Sequence, residues 1–181
     1  NLSDSWSPQI CHLKDAHYIG SLSHLKLKQE KPMYDVAYIL SGPEPQRTIL
    51  ERSLIEKHPK EWNGVLIRGS KKQEALNHDS IEIQDLLSSE DLSKIISRSK
   101  RVVCRTGYSS VMDLNNSGIP VLMIPTPGQS EQEYLGKNLN LQFNNVQHQK
   151  TLNLEASCFA PIKIKLNKNF ESFKTLLEKY L

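Results

Sequence analysis

Residues 101–125 read RVVCRTGYSSVMDLNNSGIPVLMIP: a short apolar run, a break at Arg-Thr-Gly, a polar stretch with helical spacing, a second break at Gly-Ile-Pro, and a second apolar run. Two strands with a helix between them run parallel, because the helix carries the chain back to the same edge of the sheet. The pattern begins earlier in the chain. "MYDVAYILSG" (residues 33–42) is rich in strand formers and stops at Gly-Pro. "PEPQRTILERSLIEKH" follows, with Ile49, Leu50, Leu54 and Ile55 expected on one helical face. "GVLIRG" (64–69) is a second strand and "SIEI" (80–83) a weaker third. In "SSEDLSKIISRS" Ser88 precedes Asp91 by three positions, an acidic form of the capping box. Strand "RVVC", helix "SSVMDLNNS", strand "VLMI" and helix "SEQEYLGKNL" complete the alternation. The expected class is α/β, a Rossmann-like parallel sheet with helices on both faces. Residues 140–164 read as loops plus one short strand near "IKIKL", and Phe170, Phe173, Leu176, Leu177 and Tyr180 recur at the spacing of a final amphipathic helix.

At 181 residues, 38% hydrophobic and 24% charged, the chain suits one globular core. A net charge of +3 is too mild to point to nucleic acid. No apolar run approaches the about 20 residues that span a bilayer, and the amino end lacks a basic-then-apolar leader, so the expected location is cytoplasmic. Cys11, Cys104 and Cys158 form no C-x-x-C pair, and the six histidines show no ligand spacing. No bound metal and no cofactor are expected. The sequence begins at Asn1 without methionine, and residues 1–30 have no clear periodicity. They are expected to be an inter-domain linker or strap, with residues 31–181 forming the domain and another part lying upstream.

In an open parallel sheet, ligands collect where strands end and helices begin, and a helix amino terminus presents unpaired N–H groups to an anion. Thr106 and Gly107 sit at such a junction. A glycine there is expected to take a backbone shape other residues avoid and to let a phosphate come close, with Thr106, Ser109 and Ser110 adding hydroxyls. Asp113, further along the helix, can accept from ribose hydroxyls. Each of these residues also has a plain structural use, as cap, turn or helix-dipole partner. A second loop, Ser41 and Gly42 through Arg47, adds another helix start and a guanidinium suited to phosphate, so the pair suggests a diphosphate. A third, "TPGQSEQEYLGKN" (126–138), carries Gln129, Glu131, Gln132 and Glu133, side chains that can read sugar hydroxyls or simply start a helix.

"VVCRTGYSSVMDLNNSGIPVLMIPTPGQSEQEYLGKNL" resembles the nucleotide-sugar-binding carboxyl-terminal domain of family 28 glycosyltransferases, the group that contains the bacterial lipid-linked N-acetylglucosaminyltransferase of peptidoglycan synthesis. The shared pattern is an apolar strand, Arg-[Ser/Thr]-Gly, an acid six residues after the glycine, Gly-[Ile/Leu]-Pro, another apolar strand, and a Gln-rich loop opening a helix. The resemblance implies one half of a GT-B architecture, whose other, amino-terminal half holds the acceptor and the catalytic base. It implies that Asp113 holds the donor ribose and that Gly107, Tyr108 and Ser109, with the Ser41-Gly42 loop and Arg47, lie by the diphosphate. Gln132 and Glu133 would read the transferred sugar, Glu133 departing from the family's second glutamine. The base would meet backbone near Leu87 and Ser88. The implied activity is metal-independent hexosyl transfer from a UDP-sugar, this part alone being inactive and the intact protein able to sit peripherally on a membrane. The final helix would dock on the other half or on its own sheet. Two alternatives share the architecture: a nucleotide-sugar 2-epimerase or hydrolase, and a non-catalytic donor-binding subunit of a split glycosyltransferase.

Overall fold

The computed structural model describes residues 23–70, 78–115 and 117–164. The chain divides into two compact units, Ser23–Ile162 and Asn1–Leu22 with Lys163–Leu181, and of the second only Lys163 and Ile164 are described. The expected final helix and residues 1–22 of the expected linker lie outside the described residues.

The strands are β1 (Val36–Ile39), β2 (Gly64–Ile67), β3 (Ile81–Gln84), β4 (Val102–Cys104), β5 (Pro120–Met123) and β6 (Ala160–Pro161), and the helices are α1 (Gln46–Glu56), α2 (Ser89–Ser97), α3 (Tyr108–Leu114) and α4 (Ser130–Phe143). They form one sheet of order β3-β2-β1-β4-β5-β6, parallel except for β6, which runs antiparallel to β5. The four inner strands are apolar at nearly every position because helices cover both faces, whereas β3 at one edge alternates, with Ile81 buried and Glu82 exposed. The short last strand lies just before the expected "IKIKL": Ile162 is already fully buried, and Pro161, which has no N–H to give, is tolerated only at an edge like this one.

Alternate residues Val36, Tyr38 and Leu40 share one face of the sheet and cluster with Leu50 and Leu54 of α1 and with Leu152, Leu154 and Phe159. The right-handed crossovers β1-α1-β2 and β4-α3-β5 run in opposite directions across the sheet, which puts α1 and α3 on opposite faces. The buried stripe of α1 differs from the expected one. Leu50 and Leu54 are inside, but their companions are Arg47 and Glu51, while Ile49 is 43% exposed. The cause is ionic: Glu51 accepts from Arg68, at the end of β2, across the interior (3.0 Å to Nε, 2.9 Å to Nη2). The capping box of α2 forms as its spacing suggests, with Ser88 Oγ accepting from Asp91 N–H at 3.1 Å.

Candidate binding site

Strand β1 has β2 on one side and β4 on the other, so the chain order reverses between β1 and β4. Loops leaving two such strands diverge to opposite faces and open a crevice at their carboxyl ends. The loops here are residues 40–45 and 105–107, which puts Ser41-Gly42 beside Thr106-Gly107. The loop after β5 joins the same edge: Thr126 Oγ1 lies 3.5 Å from where a Cβ on Gly42 would stand.

The two glycines play different parts. Gly42 has φ +98°, a left-handed conformation that side chains resist. Gly107 has φ −83° and ψ 150°, extended backbone open to any residue, so the expected special conformation is not what the position needs. A Cβ there would meet nothing within 4 Å. Its contribution is the missing side chain, which leaves main chain bare at an open corner. Gly107 caps α3, whose first internal bond runs from Val111 N–H to Gly107 O at 3.0 Å. Ser41, Gly42 and Ser109 are exposed and Tyr108 is half-buried.

Several expected ligand side chains are already committed inside the protein. Thr106 is buried and its hydroxyl donates to Gln132 O at 2.8 Å, tying the end of β4 to α4. Arg47 pairs with Glu44 and donates to Arg68 O (3.2 Å) and Ser70 Oγ (3.0 Å), bracing the β1 loop against β2. Glu44 also accepts from Thr48 N–H at 3.2 Å, so an anion at Arg47 would have to displace a carboxylate that starts α1. Gln132 accepts from Thr126 N–H (3.0 Å) and donates to Gln129 (2.6 Å), while Glu133 accepts from Gly128 N–H (3.0 Å). The first turn of α4 therefore holds its own loop in shape. Ser88 caps α2 beside half-buried Leu87, and Leu86 is 61% exposed; this loop lies on the same edge, with β2 between it and β1.

Asp113 is half-buried, and its Oδ1 accepts from Ser23 Oγ–H (2.6 Å) and His24 N–H (3.0 Å). It is near enough to the end of β4 that its charge adds to burial in pushing the Cys104 thiol up to about 12.

Arg105 was not singled out by its sequence position. It is 1% exposed and donates to Ile124 O (3.4 Å), Pro125 O (3.2 Å) and Gln46 O (2.8 Å). One guanidinium thus joins the end of β4 to the end of β5 and the start of α1. Burial brings its pKa down to about 10. Its place inside the Arg-[Ser/Thr]-Gly pattern was the available signal, but nothing in a sequence tells an inward arginine from an outward one. Among the described residues no group of three or more His, Cys, Asp or Glu side chains is placed to hold a metal ion, and no helix is long and apolar enough to cross a membrane.

A mostly parallel sheet with this strand order, and three loops gathered beside its switch point, define a Rossmann-like α/β domain of the kind that forms half of a GT-B protein. Residues 48–167 match the glycosyltransferase family 28 C-terminal domain, and the chain belongs to that family. Among solved structures it is similar to MurG of Acinetobacter baumannii (23% identity, TM-score 0.50, covering 72% of this chain and 40% of that one). It is also similar to the glycotransferase of kitacinnamycin (16% identity, TM-score 0.53, covering 76% and 37%). The chain therefore spans well under half the length of the structures it resembles. No curated protein matches it at a significant level.

Proposed function

We propose that this domain binds a nucleoside-diphosphate sugar, with uridine as the base, and presents it for metal-independent transfer to an acceptor held by a separate amino-terminal domain. The observation that carries the reading is the pair of bare glycine corners, Gly42 and Gly107, at the ends of adjacent parallel strands on either side of the switch point. A diphosphate laid across them would meet the main chain of the Ser41-Gly42 loop and the N–H groups at the start of α3, which favour anions without any counter-ion. Those groups would stabilise the charge that develops on the leaving diphosphate, and the braces at Arg47, Thr106 and Arg105 hold them in place beforehand. Asp113 would take ribose hydroxyls, the loop around Leu87 and Ser88 would meet the base, and Gln129, Gln132 and Glu133 would face the sugar. A base on the other domain would deprotonate the acceptor hydroxyl.

Isothermal titration of the chain with UDP tests the reading, with binding expected and its absence at millimolar ligand, in folded protein, counting against it. Gly107→Ala sharpens the test: its Cβ enters open space, so the fold stands, yet UDP should bind at least about tenfold more weakly if phosphate lies against that backbone. In the intact protein, transfer from UDP-sugar should persist in excess EDTA.

A further inference from the structure

Residues 23–28 lie as an extended strap across α2 and reach α3. Leu25 and Leu27 are half-buried while His24, Lys26 and Lys28 are exposed, an alternation of period two. Every second amide is fastened: Lys28 N–H to Ser97 Oγ (3.0 Å), Lys26 N–H to Ser93 Oγ (3.2 Å), and His24 N–H to Asp113 Oδ1 (3.0 Å). The match has a geometric cause. Amides two residues apart in an extended chain are separated by about 6.6 Å, and side chains four residues apart on a helix by about 6 Å. Serines at 93 and 97 therefore fit amides at 26 and 28, and α2 sets the path of the strap before it arrives at Asp113.

At Asp113 the strap adds a side chain. Ser23 Oγ accepts from Leu25 N–H at 3.2 Å, which leaves its hydrogen for the shortest contact available, Asp113 Oδ1 at 2.6 Å. An ionised carboxylate offers about four lone-pair sites over its two oxygens. Oδ1 is filled by two donors, and among the described residues no donor reaches Oδ2.

We propose that Ser23 is a positioning residue for nucleotide recognition: with the His24 amide it saturates Oδ1 of Asp113, fixes that side chain in one rotamer, and leaves Oδ2 to receive the vicinal hydroxyls of a ribose. This rests on the assignment of Asp113 to the ribose made above. An aspartate at a half-open position otherwise has to be ordered by its ligand, at a cost in affinity that the strap removes in advance.

The test compares UDP with 2′-deoxy-UDP on the full chain, by titration, in the parent protein and in Ser23→Ala, Ser23→Thr, Asp113→Asn and Ser97→Ala. The parent should prefer UDP, and Asp113→Asn should abolish the preference. Ser23→Ala should weaken UDP about three- to tenfold while scarcely changing 2′-deoxy-UDP, and Ser23→Thr should restore it. Ser97→Ala, which loosens the strap away from Asp113, should lower the melting temperature and keep the preference. If Ser23→Ala keeps the full preference while Asp113→Asn loses it, or if Ser23→Ala binds UDP more tightly, positioning by the strap is wrong and the ribose assignment stands. If Asp113→Asn retains the preference, the ribose assignment itself falls.

Discussion

Arg105 shows how one residue can set the shape of a site it need not touch. A guanidinium at 1% exposure, answered by three carbonyl oxygens and, among the described residues, by no carboxylate, carries a desolvation cost and returns three charge-assisted hydrogen bonds. Arg105→Met removes both terms but leaves the carbonyls of Gln46, Ile124 and Pro125 buried without that donor. We expect a net loss of about 2 kcal/mol in urea denaturation, nearly matched by Arg105→Lys, since one ammonium cannot span all three. His58 gives a second case at this scale. Its Nε2 lies 3.0 Å from Trp62 O, which can only accept, so Nε2 carries the hydrogen and Nδ1 accepts from Tyr38 O–H at 2.7 Å. Burial holds its pKa below the ordinary 6.5, opposed chiefly by the hydrogen bond to Trp62 O and less by Glu61, with the His78 charge acting in the same direction as burial. The unfolded chain therefore binds more protons in the window between the depressed folded value and 6.5. Stability is full above 6.5 and declines as pH falls through that window. Thermal melts between pH 8 and 5 should show this decline, and His58→Gln, which can keep both hydrogen bonds, should flatten it.

At the scale of elements, the inner strands were legible because both their faces are covered, which makes them continuous apolar runs that end at Gly or Pro. The start of α2 was legible because a capping box is local, its partners three residues apart. Ser88→Ala should accordingly cost about 1 kcal/mol by thermal denaturation, with Asp91 N–H losing its partner. The place of β6, just before the expected strand of which 165–166 lie outside the described residues, is not legible in the sequence, because pairing at an edge depends on what β5 presents and is not written into the alternation of its own side chains. The site divides along the same line. That Ser41-Gly42 and Thr106-Gly107 stand at strand ends follows from local pattern, and that they are adjacent follows from the strand order. Which hydroxyls and amides remain available does not. Thr106 is committed to Gln132, Arg47 to Arg68 O and Ser70, and Asp113 to Ser23, partners from 21 to 90 positions away in sequence.

For the whole molecule, those long-range ties make a further expectation. The loops at the switch point are held by buried cross-links to α1, α4 and the end of β2, so a ligand arriving there has little left to order, and its binding free energy should appear as added stability of the folded state. If UDP spans the corners at Gly42 and Gly107, each group removed from it should lower that stabilisation in turn. At equal millimolar concentrations UDP should raise the melting temperature most, UMP less and uridine least, the step from UDP to UMP reporting the corner that loses its phosphate. At 100 times its dissociation constant a ligand adds about 2.7 kcal/mol; for a unit of this size that is a shift of several degrees, well within the resolution of a melt. Gly107→Ala should compress the series toward the uridine value while leaving the unliganded melting temperature in place, because its Cβ meets open space. Uridine stabilising as strongly as UDP would mean that the nucleoside alone is recognised, and the two glycine corners would then be turns with no phosphate to hold.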